Sequence, residues 1–187
     1  PDSLAAMIAG ADAVLHIAGV VNVPTRAAFE AGNAIATANM VAAARDAGVA
    51  RFVHVSSLAA REPALSNYGW SKERAEAVVI QSALDWTIIR PPAVFGPGDT
   101  DMLDLFRMVG RGIALRPPPG RMSAIYVDEL ARLLLAVTAD RKETLGRIYE
   151  PDDGQDGGWT HREFAKAIGR AIGRPNVPAL SVPAAVL

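Results

Sequence analysis

The sequence contains no cysteine among its 187 residues, and its charges almost cancel. Without cysteine, the chain can form neither a disulfide framework nor a cysteine-based metal site or nucleophile, which is compatible with a reducing compartment. With 19 basic and 20 acidic residues the formal net charge is −1, so no bulk field attracts nucleic acid or an anionic membrane. We therefore expect a cytoplasmic protein that binds neither, and whose partners are recognised at a local site.

Long apolar runs and a secretory leader are also lacking. No run approaches the roughly 20 residues that span a membrane, and no basic segment followed by an apolar core opens the chain. The composition, 50% hydrophobic and 21% charged, is typical of one globular domain with a sizeable core. The first residue is Pro1 rather than Met, which indicates that an upstream part is absent from these residues.

Three short apolar runs, residues 11–19, 51–57 and 85–92, have the form of strands buried on both faces of a sheet. Helical patterns separate them. The first, residues 24–48, opens with a proline and closes at a glycine, and the second covers about residues 67–82. The alternation predicts an α/β fold with a parallel sheet and right-handed crossovers.

After Pro91 the pattern becomes irregular. A loop, a helix over 101–112, a second loop, a short strand at 124–127 and an amphipathic helix over 128–140 follow one another. We interpret residues 1–95 as belonging to the sheet domain. Residues 96–187 then form a small mixed α/β substrate-binding cap, partly interleaved with the sheet.

Tyr68 and Lys72 are four residues apart near the start of the second predicted helix, so they share one helix face. The pair follows a strand that ends in Ser56 and Ser57, and ligands of parallel sheets bind at the carboxyl ends of the strands. No pattern of metal ligands accompanies them, and we predict no metal site.

These three residue types suit a proton transfer that accompanies a hydride transfer. Lowering a phenol pKa from about 10 to neutrality takes roughly 4 kcal/mol of preferential stabilisation of the phenolate, and a nearby ammonium supplies part of it. In this interpretation Tyr68 is the general acid or base, Lys72 its electrostatic partner, and a serine hydroxyl holds the reacting oxygen.

The segments around these residues resemble the short-chain dehydrogenase/reductase superfamily, in its extended, NAD(P)-dependent epimerase/dehydratase branch. YGWSK at 68–72 matches the family's YxxxK motif. Residues 10–19, 32–57 and 88–99 are similar to its fourth strand, to its next helix and fifth strand, and to the segment after its sixth strand. The resemblance implies a Rossmann-type, doubly wound parallel sheet that binds NAD or NADP.

The resemblance also implies roles for individual positions. It favours Ser57 over Ser56 as the catalytic serine beside Tyr68 and Lys72. The residues implied at the cofactor are Ala18, Gly19, Asn33, Ser56, Tyr68, Lys72 and Pro91. Leu58, Phe95 and Arg121 are the candidates for binding substrate.

Two departures from the family pattern affect these expectations. The glycine-rich turn that receives the pyrophosphate does not occur in these residues, so we interpret the chain as part of a longer protein and leave NAD versus NADP open. Met122 stands where many sugar-nucleotide enzymes carry arginine, and Arg121 is displaced by one position. The predicted substrate is therefore a sugar nucleotide or another hydroxy or keto compound.

The resulting prediction is an NAD(P)-dependent oxidoreductase, epimerase or dehydratase that acts at a carbinol or carbonyl carbon. The alternative is a non-catalytic relative that serves as a nucleotide sensor or an assembly subunit. The resemblance further implies a possible homodimer through the helices that hold residues 34–44 and 68–80.

Other features of the sequence have structural interpretations. His16 and His54 lie inside strand patterns and are expected to be buried or edge histidines without a role. The sequence THRE at 160–163 is typical of a capping box rather than of the end of a calcium loop. Arg45 and Arg51 are expected on a solvated surface, and Trp70 either walls the substrate cleft or packs the helix.

Overall fold

The computed structural model describes residues 2–116, 120–139 and 142–181. In this part the strands are β1 Ala13–His16, β2 Arg51–Val55, β3 Asp85–Ile89, β4 Ala93–Phe95, β5 Ala114–Arg116, β6 Arg121–Met122, β7 Ala124–Tyr126, β8 Arg147–Tyr149, β9 Trp159–Thr160 and β10 Ala179–Ser181. The α-helices are α1 Asp2–Ile8, α2 Arg26–Phe29, α3 Ala36–Asp46, α4 Asn67–Ile80, α5 Leu103–Gly110, α6 Val127–Ala139 and α7 His161–Ala171.

The chain divides into two compact units. The first comprises Pro1–Pro91 and Leu130–Pro151, and the second comprises Pro92–Glu129 and Asp152–Leu187. The sequence analysis placed the domain boundary at residue 95. In the structure the first segment of the first unit ends at Pro91, and a later segment, Leu130–Pro151, also belongs to that unit.

The first unit contains a parallel sheet with the strand order β1-β2-β3-β8. Helices connect its successive strands, so the predicted α/β fold with a parallel sheet is confirmed. Strand β8 was missed because its three residues are exposed and show no apolar run.

One face of this sheet packs against α1, α3 and α4. The strand residues on that face come in register, Val14 beside Phe52 and His16 beside His54. The apolar core between sheet and helices consists of Ile8, Val14, Met40, Val41, Ala43, Ala44, Val49, Phe52, Val79 and Ile88.

The long helix predicted over residues 24–48 is continuous but not uniform. Thr25 caps its start by accepting a hydrogen bond from the Ala28 amide, and a π-helical segment, Glu30–Ile35, lies between α2 and α3. Such segments often occur at functional sites, and this one contains Asn33. The sequence pattern does not distinguish it from an ordinary helix.

The described residues of the second unit form three strand pairs and two helices. β4 pairs with β7 and β5 with β10, both parallel, while β6 and β9 are antiparallel. Thr160 and Glu163 form the predicted capping box at the start of α7, and this prediction is confirmed. The apolar core of the unit includes Val109, Phe164 and Ile168.

The expectation of a solvated Arg51 is wrong. Arg51 is 1% exposed, and its guanidinium donates to the carbonyls of Asp85 and Val137 and to the hydroxyl of Thr144. These acceptors come from segments far apart in the sequence, so only the fold brings them together. Within the described ranges, every helix is too short or too polar to cross a bilayer.

Candidate functional site

The four parallel strands end at one edge of the sheet, and the candidate site lies there. Ser56 and Ser57 follow β2, and Arg90 and Pro91 follow β3. Two hydrogen bonds connect these strand ends, from the Ser56 amide to the Ile89 carbonyl at 2.7 Å and from the Leu58 amide to the Pro91 carbonyl at 3.0 Å. The backbone that carries both serines is therefore fixed on two sides.

Tyr68 lies in the first turn of α4, which begins where Ser66 accepts a hydrogen bond from the Gly69 amide at 2.9 Å. Ser57 lies close enough to the Tyr68 side chain to lower the pKa of its phenol. Ser57 in turn caps a short 3-10 helix by accepting from the Ala59 amide at 3.2 Å. Both partners of the Ser57–Tyr68 contact are therefore held by helix starts.

The pKa of Tyr68 differs from the expectation. Burial raises it above its usual 10.0, and the nearby Ser57 lowers it only in part. Lys72 is not among the groups that shift the pKa of Tyr68. The phenol is therefore the stable form of Tyr68 in this structure.

Lys72 lies one turn further along α4 and is 4% exposed. Its ammonium donates to the Val55 carbonyl at 2.8 Å. Burial lowers the pKa of Lys72 from 10.5 to about 8, and the carboxylate of Glu76 opposes that shift. Lys72 consequently titrates close to neutrality, where its charge is sensitive to its neighbours.

The two serines have different partners. Ser56 donates its hydroxyl to Glu76 at 2.5 Å and is buried, whereas Ser57 is half-buried and contacts Tyr68. The assignment of Ser57 as the catalytic serine stays a prediction. The assignment of Ser56 to the cofactor stays a prediction, although its hydroxyl proton is already donated within the protein.

Asn33 is buried and connects the loop after β1 with α4. Its side-chain oxygen accepts from the Val20 amide at 2.8 Å, and its amide group donates to the Val20 carbonyl at 3.0 Å and to Ser71 at 2.8 Å. Because both amide hydrogens are used, Asn33 shapes the loop rather than offering a free donor. Direct contact of Asn33 with a cofactor stays a prediction.

Ala18 and Gly19 form an exposed stretch of backbone beside this network. A Cβ on Gly19 would lie 2.7 Å from the Asn33 side-chain oxygen and 3.8 Å from the Lys72 ammonium. Glycine is therefore required for this close approach. The open backbone next to Lys72 fits the nicotinamide and ribose end of a dinucleotide, whereas residues 1–187 contain no glycine-rich turn for its pyrophosphate.

The three residues predicted to bind substrate lie in different surroundings. Leu58 begins the 3-10 helix of the first unit and is half-buried. Phe95 belongs to the second unit and packs among the rings of Phe106, Tyr126 and Phe164 at 5.6 to 6.2 Å. Core packing accounts for Phe95, and its role at a substrate stays a prediction.

Arg121 also belongs to the second unit. Its guanidinium donates to the carbonyls of Gly157 and Gly158, which holds the turn before β9. That interaction is structural, so its predicted contact with substrate would have to use the remaining guanidinium nitrogen.

The sequence analysis missed an ionic network next to the site. Arg90 donates to both carboxylate oxygens of Glu76, at 2.9 and 2.6 Å, and to Glu150 at 3.1 Å. Arg61 contacts the other oxygen of Glu150 at 3.3 Å. Spacing offered a signal for Glu76, because Tyr68, Lys72 and Glu76 are at i, i+4 and i+8 on one helix face.

Trp70 faces a different environment from Tyr68. The guanidinium of Arg26 lies 3.8 Å from the centre of its ring, and Arg74 lies at 5.3 Å. Together with Arg26, Leu65 and Glu73 it lines a cleft of about 580 Å³. Trp70 therefore packs against helix arginines and walls a cleft outside the Ser57–Tyr68 contact.

Known proteins agree with this description. The model of the NAD(P)H-binding family matches residues 1–140. A ceramide reductase of Caulobacter vibrioides is 37% identical over 175 residues, which cover 92% of this chain and 54% of the relative. A UDP-glucose 4-epimerase of Vibrio cholerae is 29% identical over 168 residues, covering 76% of this chain and 50% of the relative.

Solved structures show the same fold. UDP-N-acetylglucosamine 4-epimerase from Bacillus cereus superimposes with a TM-score of 0.80 at 19% identity, covering 97% of this chain and 69% of the other. The chain thus spans about half the length of the two sequence relatives. By its family model, the chain belongs to the NAD(P)H-binding family.

Proposed function

We propose that the protein is an NAD(P)-dependent oxidoreductase that acts at a carbinol or carbonyl carbon through Ser57, Tyr68 and Lys72. The observation that carries the proposal is that Ser57, at the end of β2, lies close to Tyr68, while Lys72 lies one helical turn from Tyr68 and next to the open Ala18–Gly19 backbone. Proton donor, cation and hydroxyl thus occupy one edge of the sheet.

Tyr68 moves the proton. In the reductive direction its phenol donates to the oxygen of the substrate carbonyl, and in the oxidative direction the phenolate accepts the proton of the alcohol. Burial favours the phenol, so the resting residue suits reduction. The dinucleotide, when bound, supplies or accepts the hydride at the carbon.

Lys72 stabilises the phenolate that forms when Tyr68 gives up its proton. Its ammonium has two hydrogens beyond the one that is donated to Val55, and these are free to hold a ribose hydroxyl and to act on Tyr68. Ser57 orients the reacting oxygen because its side chain lies close to Tyr68.

Reduction of a carbonyl is the favoured net reaction. The relative named ceramide reductase is more similar to this chain, at 37% identity, than the relative named UDP-glucose 4-epimerase, at 29%. Met122 also stands where many sugar-nucleotide enzymes carry arginine. We therefore propose a keto compound with an apolar body as the first substrate class to test, before sugar nucleotides.

Isotope transfer tests the proposal. The intact protein is incubated with NADH or NADPH deuterated at C4, each epimer separately, and with a panel of long-chain keto compounds and keto sugars. Mass spectrometry then measures deuterium in the product alcohol. We expect transfer from one epimer only, and a loss of at least about 100-fold in rate for Tyr68→Phe.

Tyr149→Phe is the matched control, because Tyr149 lies in the same unit and its hydroxyl contacts only the Glu143 carbonyl among the bonds described, at 3.4 Å. It should keep the wild-type rate. Full activity of Tyr68→Phe would refute the role of Tyr68. Cofactor binding without transfer to any member of the panel would favour the non-catalytic alternative.

A further inference from the structure

Three consecutive residues at the end of β2 each lie close to a different residue of α4. The Val55 carbonyl accepts from Lys72 at 2.8 Å, the Ser56 hydroxyl donates to Glu76 at 2.5 Å, and Ser57 lies close enough to Tyr68 to lower the pKa of its phenol. Lys72 and Glu76 are 4% and 3% exposed, so two opposite charges are buried one helical turn apart.

A carboxylate as deeply buried as Glu76 needs a partner. Arg90, which follows β3, supplies it with two hydrogen bonds to the two carboxylate oxygens. Arg90 also contacts Glu150, which follows β8, and Glu150 contacts Arg61. The carboxylate is thus held in one orientation by groups at the ends of three neighbouring strands.

We propose that Glu76 is the positioning residue of the site: its carboxylate locks the end of β2 against α4 and supplies the negative charge that keeps Lys72 protonated beside Tyr68. The catalytic part of this inference rests on the proposed function, but the effect on Lys72 does not. Arg90 holds the carboxylate in place.

The charge of Glu76 matters because the pKa of Lys72 lies close to physiological pH. Burial brings the pKa of Lys72 down to about 8, and Glu76 is the charge that opposes this shift. Without it, a larger fraction of Lys72 is neutral at physiological pH, and a neutral amine does not stabilise a phenolate.

The test is a titration of Lys72 in the intact protein. Protein labelled with ¹³C-lysine is titrated between pH 6 and 11 and the ¹³Cε shift is followed. Residues 1–187 contain three lysines, Lys72, Lys142 and Lys166, and the Lys72 signal is assigned by its loss in Lys72→Arg. In Glu76→Gln we expect the midpoint to fall by roughly one unit from about 8.

Three variants separate charge from structure. Glu73→Gln makes the same charge change three residues earlier in α4 and should leave the Lys72 midpoint unchanged. Glu76→Asp keeps the charge and should restore a midpoint close to that of the wild type. Ser56→Ala removes the hydrogen bond but no charge, and should likewise leave the midpoint in place.

Removing one partner of a buried ion pair leaves the charge of the other uncompensated, so Glu76→Gln is expected to destabilise the fold. The double variant Glu76→Gln/Arg90→Gln removes both charges and is the second test. We expect the same fall in the Lys72 midpoint, because Arg90 is not among the groups that shift the pKa of Lys72.

An unchanged midpoint in a folded Glu76→Gln or double variant would overturn the inference. This outcome is distinguishable from failure of the proposed function. A lowered midpoint in a protein that never transfers deuterium would refute only the enzyme activity, and normal transfer with an unchanged midpoint would refute only the role of Glu76.

Discussion

Two histidines lie side by side on the sheet face that α3 and α4 cover. His16 and His54 are register partners with ring centres 5.5 Å apart. His16 shares a hydrogen bond with the Thr37 hydroxyl at 3.1 Å, while neither ring nitrogen of His54 has a partner in the part of the chain that the structure describes. Their expected burial is confirmed, and it keeps both rings neutral.

Acid should therefore destabilise the fold before the carboxylates titrate. Burial, and secondly the charge of Lys72, lowers the pKa of His16 from 6.5 to about 4 and that of His54 well below 6.5. Below pH 6.5 these histidines bind protons in the unfolded chain but not in the folded chain, so the free energy of unfolding decreases as the pH is lowered. For His16 alone the loss is about 2 kcal/mol by pH 5.

Denaturant unfolding at pH 7.5, 6.5, 5.5 and 5.0 measures this dependence. His54→Phe removes one of the two groups and should make the slope of unfolding free energy against pH shallower. His161→Gln, at the start of α7 in the second unit, serves as the control and should keep the slope. An identical slope in all three proteins would contradict the role of the buried histidines.

Gly19 lies too close to Asn33 to carry a side chain. An added Cβ would lie 2.7 Å from the Asn33 side-chain oxygen, and Asn33 has no room to yield because Val20 and Ser71 hold it from both sides. Gly19→Ala should cost about 1–3 kcal/mol of stability and weaken NAD(P)H binding.

Thermal unfolding and cofactor fluorescence titration measure the two effects. Gly110→Ala is the matched control, because the nearest atom to its added Cβ lies 4.0 Å away and alanine is favourable in a helix. Wild-type stability together with wild-type cofactor affinity in Gly19→Ala would show that this approach is not tight.

At the scale of elements, the start of β2 is fixed as firmly as its end. Arg51 is the first residue of β2, and its forked guanidinium reaches the Asp85 carbonyl, the end of α6 at Val137 and Thr144 before β8. It connects three segments that bring β8 into the sheet. A lysine ammonium has no fork with which to reach all of them.

Arg51→Lys should therefore lower the unfolding free energy by about 2–3 kcal/mol, since buried carbonyls lose charge-assisted donors. Arg45→Lys, on the exposed side of α3, should change it by less than about 0.5 kcal/mol. Chemical denaturation of both variants beside the wild type provides the measurement, and equal stabilities would contradict this account of Arg51.

The sequence predicted the elements that carry a strong local signal. Apolar runs predicted β1, β2 and β3, and the capping box predicted the start of α7. Strand β8 was missed because it is short, exposed and without an apolar run. The burial of Arg51 was missed because its partners are distant in the chain, which periodicity does not register. The same reason explains why the Tyr68–Lys72 spacing was visible while the partners of Glu76 were not.

At the scale of the whole molecule, the chain covers about half the length of the relatives it matches. Its family membership concerns binding of NAD(P)H, and association between copies is a separate question. The predicted dimer would use α3 and α4, and the helical segment before α3 and the end of α4 each carry a large exposed apolar side chain, Ile35 at 52% and Ile80 at 45%.

Replacing one of these side chains tests the dimer. If the helices pair across a two-fold axis, Ile35 is buried in both copies, and a charge there is desolvated twice. Ile35→Glu should then shift the intact protein toward the monomer in sedimentation velocity at micromolar concentration. The control is Leu135→Glu, because Leu135 is also a large apolar side chain and is 68% exposed on α6; it should leave the distribution unchanged. A monomeric wild type at every concentration would refute the dimer. Dissociation by Leu135→Glu alone would place the contact on α6 instead.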